Sequence, residues 1–437
     1  MKRALVIGAA RSGIAVSKLL TEYGYEVWLT DSKTIEEKED LEAMGIRVFD
    51  NGHPDFLKEQ EYDLIVKNPG IKYSVPFVKY FADKGCEMLN EMEVAIELQP
   101  QHEYAAITGT NGKTTTTTML GGMLKTLNPH NEACGNIGLP VCAVIDGRED
   151  ETLQLAIECG AFQLMGIKNF HPKVSVIMNL TVDHVDYFGT VEAYYHSKTL
   201  VYRNQNENDW FLRNVDDPLV MEYCNNVPCR IIDFSLERTD VPLRVENEKV
   251  MFNEVELFDL REFKLPGRHN VQNAMVAACM AYIMGVSLTS IKSYCESFMG
   301  VEHRIEFVRE LDGVRYYNDS KGTNVDSTIM ALKSFSQPVH ILVGGYDKKT
   351  GFDGLKPYLG NVKTMYAYGN TRDQFVPLFD DVRLYDNMKE ALDAAHENAR
   401  PGEIVLLSPA CASWDQFPNY EVRGKEFKDL VNSYEEH

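Results

Sequence analysis

The chain has no Cys-x-x-Cys pair, no apolar run long enough to cross a bilayer, and few basic residues for its size. Each absence excludes something. Nine cysteines are scattered over 437 residues, and the nearest pair, Cys224 and Cys229, has no second pair to complete a zinc set. Free thiols in a reducing compartment are therefore expected, rather than disulfides or a structural metal. Arg11 and Lys18 interrupt the one stretch that starts like a signal peptide, Met1-Lys2-Arg3-Ala4-Leu5-Val6-Ile7-Gly8, so a cytoplasmic protein without membrane insertion is expected. Lys and Arg number 44 against 65 Asp and Glu, a formal net charge of −21, which argues against general binding to nucleic acid or anionic lipid. Repeats, low-complexity tracts and heptads are absent too. The 44% hydrophobic content is still that of a globular chain with ample core, and the length suggests two to four domains.

What is present centres on Ala105-Ala106-Ile107-Thr108-Gly109-Thr110-Asn111-Gly112-Lys113-Thr114-Thr115. Tyr104 to Ile107 reads as a buried strand, the glycines as a loop, and the Thr run into Met119-Leu120 as a helix. Backbone N–H groups of such a loop and the positive end of the helix make a socket for phosphate. Lys113 would reach the outer phosphates and the Thr114 hydroxyl would serve Mg²⁺. Ile107 stands where the strict phosphate-loop pattern has its first glycine, so the motif is a variant.

Toward the N-terminus, residues 3–8 read as a strand. Gly8-Ala9-Ala10-Arg11-Ser12-Gly13, a helix from Ile14 to Tyr23, and a strand from Glu26 to Thr30 ending at Asp31 follow. This is an opening of the dinucleotide-binding type, but Ala10 replaces its second glycine; NAD is not expected, while Arg11 and Ser12 suit a phosphate. Strands are expected at Tyr62–Lys67 and Cys86–Leu89, with a turn at Asn68-Pro69-Gly70 and a first domain boundary at residue 93. Beyond the glycine loop come a strand Thr152–Ile157 ending in Glu158 and a strand Val174–Leu180 running into Asp183-His184. Polar groups at strand ends beside a phosphate loop are where an α/β sheet holds its ligand, which makes Glu158 and His184 candidate Mg²⁺ ligands. Val191–Arg203 reads as a helix carrying Lys198, which nothing local marks as special. Residues 229–265 alternate as hairpins around Asn247-Glu248. Asn270 and Asn273 open a helix through Met284 and share a face, where they could cap it or read a base edge. A second boundary falls near Gly300. Strands at Val314–Tyr317, Val339–Val343 and Ile404–Leu407 then indicate another doubly wound sheet with polar strand ends along one edge.

Thr108-Gly109-Thr110-Asn111-Gly112-Lys113-Thr114, His269-Asn270-Val271-Gln272-Asn273, Glu302-His303-Arg304 and Asp319-Ser320-Lys321-Gly322-Thr323-Asn324 resemble, in this order, the signatures of the Mur ligases. These are ATP-dependent amide ligases that build the peptidoglycan precursor, and the resemblance covers almost the whole chain. Ser408-Pro409-Ala410-Cys411-Ala412-Ser413-Trp414-Asp415-Gln416-Phe417 and Gly8…Ser12-Gly13 are similar to the branch that adds D-glutamate. The resemblance implies an α/β monomer of three domains: a Rossmann-like domain (1–93) for UDP-N-acetylmuramoyl-L-alanine, a central P-loop-like mononucleotide-binding domain (94–299) for ATP, and a mobile Rossmann-like domain (300–437) for D-glutamate. It implies that Gly109, Thr110, Asn111, Gly112, Lys113, Thr114 and Thr115, with Asn270, Asn273, Arg304, Asp319 and Lys321, line the ATP site. Thr114, Glu158, His184 and a carbamylated Lys198 would hold a pair of Mg²⁺ ions. Arg11, Ser12, Gly13, Asp31, Ser32, Gly70 and Asn136 would hold the UDP-sugar, and Thr323, Lys348, Ser413 and Tyr420 would surround D-glutamate. The implied catalytic set is Lys113, His184, Lys198, Asp319 and Lys321.

The implied chemistry accounts for these residue types. An amine cannot displace hydroxide from a carboxylate at neutral pH, so ATP first converts the alanyl carboxylate to an acyl phosphate, which the amine of D-glutamate attacks. Phosphoryl transfer asks for charge neutralisation and alignment, which Lys113 and the metal supply. The amine must lose a proton, and Asp319 and His184 both stand open as the base. A folylpolyglutamate-synthase-like ligase would leave the N-terminal domain without a use, and a dehydrogenase rests on residues 3–31 alone. A nucleotide-binding switch would have no need of Lys198, Lys348 or Ser413.

Overall fold

A computed structural model describes residues 1–181, 188–346 and 351–435. His184 and Lys348 lie outside the described residues. Strands β1 (Arg3–Ile7), β2 (Glu26–Thr30), β3 (Arg47–Phe49), β4 (Leu64–Lys67) and β5 (Met88–Leu89) form an all-parallel sheet in the order β3-β2-β1-β4-β5. Chain order reverses between β1 and β4, so the crevice beyond their carboxyl ends is where such a sheet takes a ligand. The second sheet comprises β6 (Glu103–Thr108), β7 (Ala133–Gly135), β8 (Gln154–Glu158), β9 (Val174–Ile177), β10 (Trp210–Asn214), β11 (Arg230–Ser235), β12 (Leu243–Glu246), β13 (Lys249–Phe252) and β14 (Val255–Asp259). Its order is β14-β13-β12-β11-β10-β9-β6-β8-β7, parallel from β7 to β12 and antiparallel thereafter. Asn247 and Glu248, at φ 52° and 59°, form the two-residue turn between β12 and β13 that their sequence predicts. The third sheet, of β15 (Glu306–Leu311), β16 (Val314–Asn318), β17 (Val339–Gly344), β18 (Val362–Tyr368), β19 (Val382–Tyr385) and β20 (Ile404–Leu407), runs β15-β16-β20-β17-β18-β19 and is parallel except at β15.

Two compact units emerge: residues 1–262 with 272–296, and residues 263–271 with 297–437. The first holds two sheets under one continuous apolar cluster that runs from Val6 and Leu19 through Met92 and Ile96 to Val141 and Ile157. The second has a core on each face of its sheet, around Ile341, Met365 and Leu406 on one side and Tyr316, Leu342 and Phe427 on the other. Strands buried on both faces are mostly short apolar runs: β20 is one throughout, and β4, β9 and β17 each carry a single polar residue, Lys67, Ser175 and His340. Among the described residues no helix is long and apolar enough to cross a membrane.

Boundaries differ from expectation where a close approach decides them. The helix expected from Ile14 spans Arg11–Glu22, because Gly13 is a packing glycine within it: a Cβ there would lie 1.8 Å from the Gly8 carbonyl oxygen. The strand expected over Val174–Leu180 ends at Ile177, after which Thr110 N–H donates to Asn179 O and ties the chain to the glycine loop. β8 ends at Glu158 as expected but starts at Gln154 rather than Thr152. The helix carrying Lys198 spans Val191–Thr199 and tightens over Leu200–Tyr202.

Candidate active site

The glycine loop leaves the carboxyl end of β6, between β8 and β9, and enters the helix Lys113–Leu124. Gly112 is its N-cap at φ 83° and offers no side chain to the first N–H groups, so these face outward for an anion. Asn179 clamps Asn111 from both sides: Asn111 N–H donates to Asn179 Oδ1 (2.8 Å), and Asn179 Nδ2 donates to Asn111 O (3.1 Å). Thr110 Oγ1 accepts from Thr181 N–H and meets the Tyr194 hydroxyl at 3.4 Å. Lys113 Nζ folds back to Gly109 O (2.9 Å) and Thr110 O (2.8 Å). Lys198, 1% exposed, also donates to Gly109 O at 2.9 Å and lies 4.6 Å from the Tyr194 ring centre. Two ammonium groups on one oxygen lie within about 6 Å of each other, where their charges repel.

Glu158, the buried last residue of β8, accepts from Thr114 Oγ1 (2.9 Å) and from Asn136 Nδ2 (2.8 Å). Asn136, expected with the UDP-sugar set, thus stands in the phosphate-loop cluster. The Thr114 hydroxyl and the Glu158 carboxylate are hard oxygen donors of the kind Mg²⁺ takes. Asn273 also joins this cluster, accepting from Thr116 Oγ1 at 3.3 Å, and a Cβ at Gly112 would lie 2.5 Å from its Oδ1. Asn270 donates to Pro266 O within the second compact unit.

Arg11, Ser12 and Gly13 follow β1, Asp31 and Ser32 follow β2, and Gly70 follows β4, all beyond the carboxyl ends of the first sheet. Asp31 accepts from Ala9 N–H (2.7 Å) and Lys33 N–H (2.8 Å), shaping the Gly8 turn, and Ser12 Oγ accepts from Asn68 Nδ2 (3.2 Å). In the second unit, Asp319, Lys321 and Thr323 follow β16 and Ser413 follows β20, its parallel neighbour. Asp319 accepts from Ser408 Oγ (2.7 Å) and Ile305 N–H (3.3 Å). Burial pushes its carboxyl up to about 7, partly offset by the Ser408 hydroxyl and the Arg304 charge. Lys321 stands 5.8 Å from the ring centre of Tyr420, which opens the helix Tyr420–Ser433.

The sequence matches the Mur ligase middle domain over residues 107–281 and the Mur ligase glutamate ligase domain over residues 303–411. It is 40% identical over 442 aligned residues to the UDP-N-acetylmuramoylalanine–D-glutamate ligase of Geobacillus kaustophilus, covering 99% of this chain and 97% of that protein. It is 36% identical to the ligase of the same name from Enterococcus faecalis, covering 100% and 97%. The chain belongs to the Mur ligase family. Its fold is that of solved members too: UDP-N-acetylmuramate-alanine ligase from Thermotoga maritima superposes with a TM-score of 0.60 at 18% identity over 99% of each chain. The pseudomurein peptide ligase type C from Methanothermus fervidus gives 0.59 at 18% identity, again over 99% of each.

Three residues that brace these loops, two in the first unit and one in the second, escape a reading of the sequence. Asn179 lies in the strand-end motif, but only its two-way bond to Asn111 distinguishes it from any loop amide. Tyr194 packs beside Lys198 on one helix, a neighbourhood that no composition signals. Arg423 is fully buried and donates to Ser320 O (2.8 Å), Ser320 Oγ (3.0 Å) and Cys411 O (3.2 Å), bracing the loops after β16 and β20. A lone Arg in an amphipathic helix usually reads as a solvated charge.

Proposed function

We propose that this Mur ligase joins the amine of D-glutamate to the alanyl carboxylate of UDP-N-acetylmuramoyl-L-alanine, with ATP converted to ADP and phosphate. The end-to-end identity of 40% to a D-glutamate ligase carries the reading. The Thr114–Glu158 pair beneath an open helix N-terminus supports its phosphoryl-transfer half. The glycine-loop amides bind and align the nucleotide phosphates, and Lys113 leaves its two carbonyls to neutralise charge on the phosphoryl group as it moves. Thr114 and Glu158 would hold Mg²⁺, which draws electron density from the phosphoryl oxygens when bound. The phosphoryl group goes to the alanyl carboxylate; the D-glutamate amine then adds to the acyl carbon, phosphate leaves with the former carboxylate oxygen, and the amine proton is lost to a base. Asp319, with its proton affinity raised to about 7, is suited to that uptake near neutrality.

Lys198 is assigned a carbamate: its uncharged amine adds CO₂ and releases a proton. A cation that repels Lys113 becomes an anion that attracts it and offers oxygens to a metal. Lys348, Thr323, Ser413 and Tyr420 are assigned to D-glutamate, and the crevice residues Arg11, Ser12, Gly13, Asp31, Ser32 and Gly70 to the nucleotide-sugar. Domain limits near residues 93 and 299 accompany this assignment, supported by one sheet on each side of each limit.

A panel of D- and L-amino acids tests the substrate, with ADP release followed in the presence of ATP and UDP-N-acetylmuramoyl-L-alanine. Release is expected with D-glutamate and with neither L-lysine, meso-diaminopimelate nor L-alanine. Equal or faster release with one of those three would overturn the assignment.

A further inference from the structure

Lys67 ends β4 and is 5% exposed, yet among the described residues no carboxylate lies within ion-pair distance of it. A buried charge without a counter-ion is costly unless its donors are filled. Its ammonium donates instead to three carbonyls of the following turn: Asn68 O (3.0 Å), Pro69 O (3.4 Å) and Ile71 O (2.8 Å). The Tyr73 ring centre lies 4.7 Å away. Within that turn, Asn68 Oδ1 accepts from Gly70 N–H (3.0 Å) while Asn68 Nδ2 donates to Ser12 Oγ (3.2 Å). The turn also closes on the first glycine turn, since a Cβ at Gly8 would lie 2.8 Å from Asn68 Cβ and 2.9 Å from Ile71 Cδ1. Ser12 therefore uses its oxygen as an acceptor and keeps its hydroxyl proton to donate, at the start of a twelve-residue helix whose N-cap, Ala10, makes no side-chain hydrogen bond to it.

We infer that Lys67 is a positioning residue for a nucleoside diphosphate: it holds the 68–71 turn, and through Asn68 the Ser12 hydroxyl, in the geometry that receives a phosphate oxygen. The inference rests on the proposed assignment of this crevice to the UDP-substrate. Burial alone lowers the Lys67 ammonium to about 8. The groups facing it are the three carbonyls and the Tyr73 phenol, which burial raises. Above that pH the neutral amine has two donors left for three carbonyls, and the turn loosens.

The test is calorimetric binding of UDP and, separately, of ATP to the full chain, wild type and Lys67→Met, at about pH 7 and about pH 9. Loss of charge-assisted hydrogen bonds predicts UDP binding weakened about tenfold or more in Lys67→Met, with ATP binding unchanged. Wild-type affinity for UDP should fall across the pH interval, and that of Lys67→Met should not. Equal UDP binding by both proteins overturns the inference alone, as does a joint loss of UDP and ATP binding, which marks general damage. No UDP binding by the wild type overturns the crevice assignment and the inference with it. Should Lys67→Met fail to fold, the wild-type profile decides, and a flat UDP affinity overturns the inference.

Discussion

Asp319 carries a cost that a substitution can expose. Its folded proton affinity, about 7, exceeds the ordinary carboxylate value because burial disfavours the ion. Between about pH 4 and pH 7 the folded chain therefore binds a proton that the unfolded chain does not, so stability falls as pH rises through that window and levels off above it. Asp319→Asn removes the cost. The variant should match wild type near the lower limit and exceed it by on the order of 4 kcal/mol at the upper one, while losing most ligation. Urea unfolding at several pH values measures the difference, and a difference that does not change with pH would contradict the account. Lys198 makes the opposite kind of case, since its proposed role lies in the carbamate it would become. Lys198→Arg keeps the charge and cannot form the carbamate, so ligation should fall at least about a hundredfold, a loss of the size expected when one electrostatic support of phosphoryl transfer goes. A rate near wild type in steady-state ADP release would reduce Lys198 to an ordinary cation.

At the scale of elements, the phosphate loop is held from outside itself. The segment after β9 supplies Asn179, whose amide replaces the hydrogen bonds a free loop would make to water. Asn179→Ala removes both bonds and frees Asn111, so the KM for ATP should rise roughly tenfold or more with UDP affinity unchanged. An unaltered KM for ATP would show that the loop keeps its shape unaided. The loop itself is legible in sequence because glycines, Lys and Thr recur at fixed spacing, and the strands because apolar runs bounded by turn residues have few other uses. Gly13 misleads as a turn residue because a glycine needed for close packing inside a helix looks the same as one needed for positive φ. Glu158 can be placed at a strand end by pattern, but its partners Thr114 and Asn136 come from the helix after β6 and the turn after β7. Such meetings are set by strand order, which local pattern does not record. Arg423 and Lys67 are invisible for a related reason: a buried cation satisfied by carbonyls has no partner in the sequence to point to it.

The whole molecule repeats one device three times. Each sheet presents polar residues at or beyond the carboxyl ends of its parallel strands: Ser12 and Asp31, then Lys113, Thr114 and Glu158, then Asp319, Lys321 and Ser413. The proposed ligands are all anions, and the chain carries a net charge of −21, so local cations must overcome a field of the wrong sign. Lys113 beside the Gly109 carbonyl, and Arg304 and Lys321 beside Asp319, are proposed to do so. The central claim is that this machinery activates a carboxylate by transferring a phosphoryl group to it. Heavy oxygen in the alanyl carboxylate of UDP-N-acetylmuramoyl-L-alanine tests that claim most directly, with mass spectrometry of the products after turnover with ATP and D-glutamate. The account predicts one labelled oxygen in the inorganic phosphate and the other in the new amide for each turnover. Unlabelled phosphate, or label recovered in AMP, would contradict it.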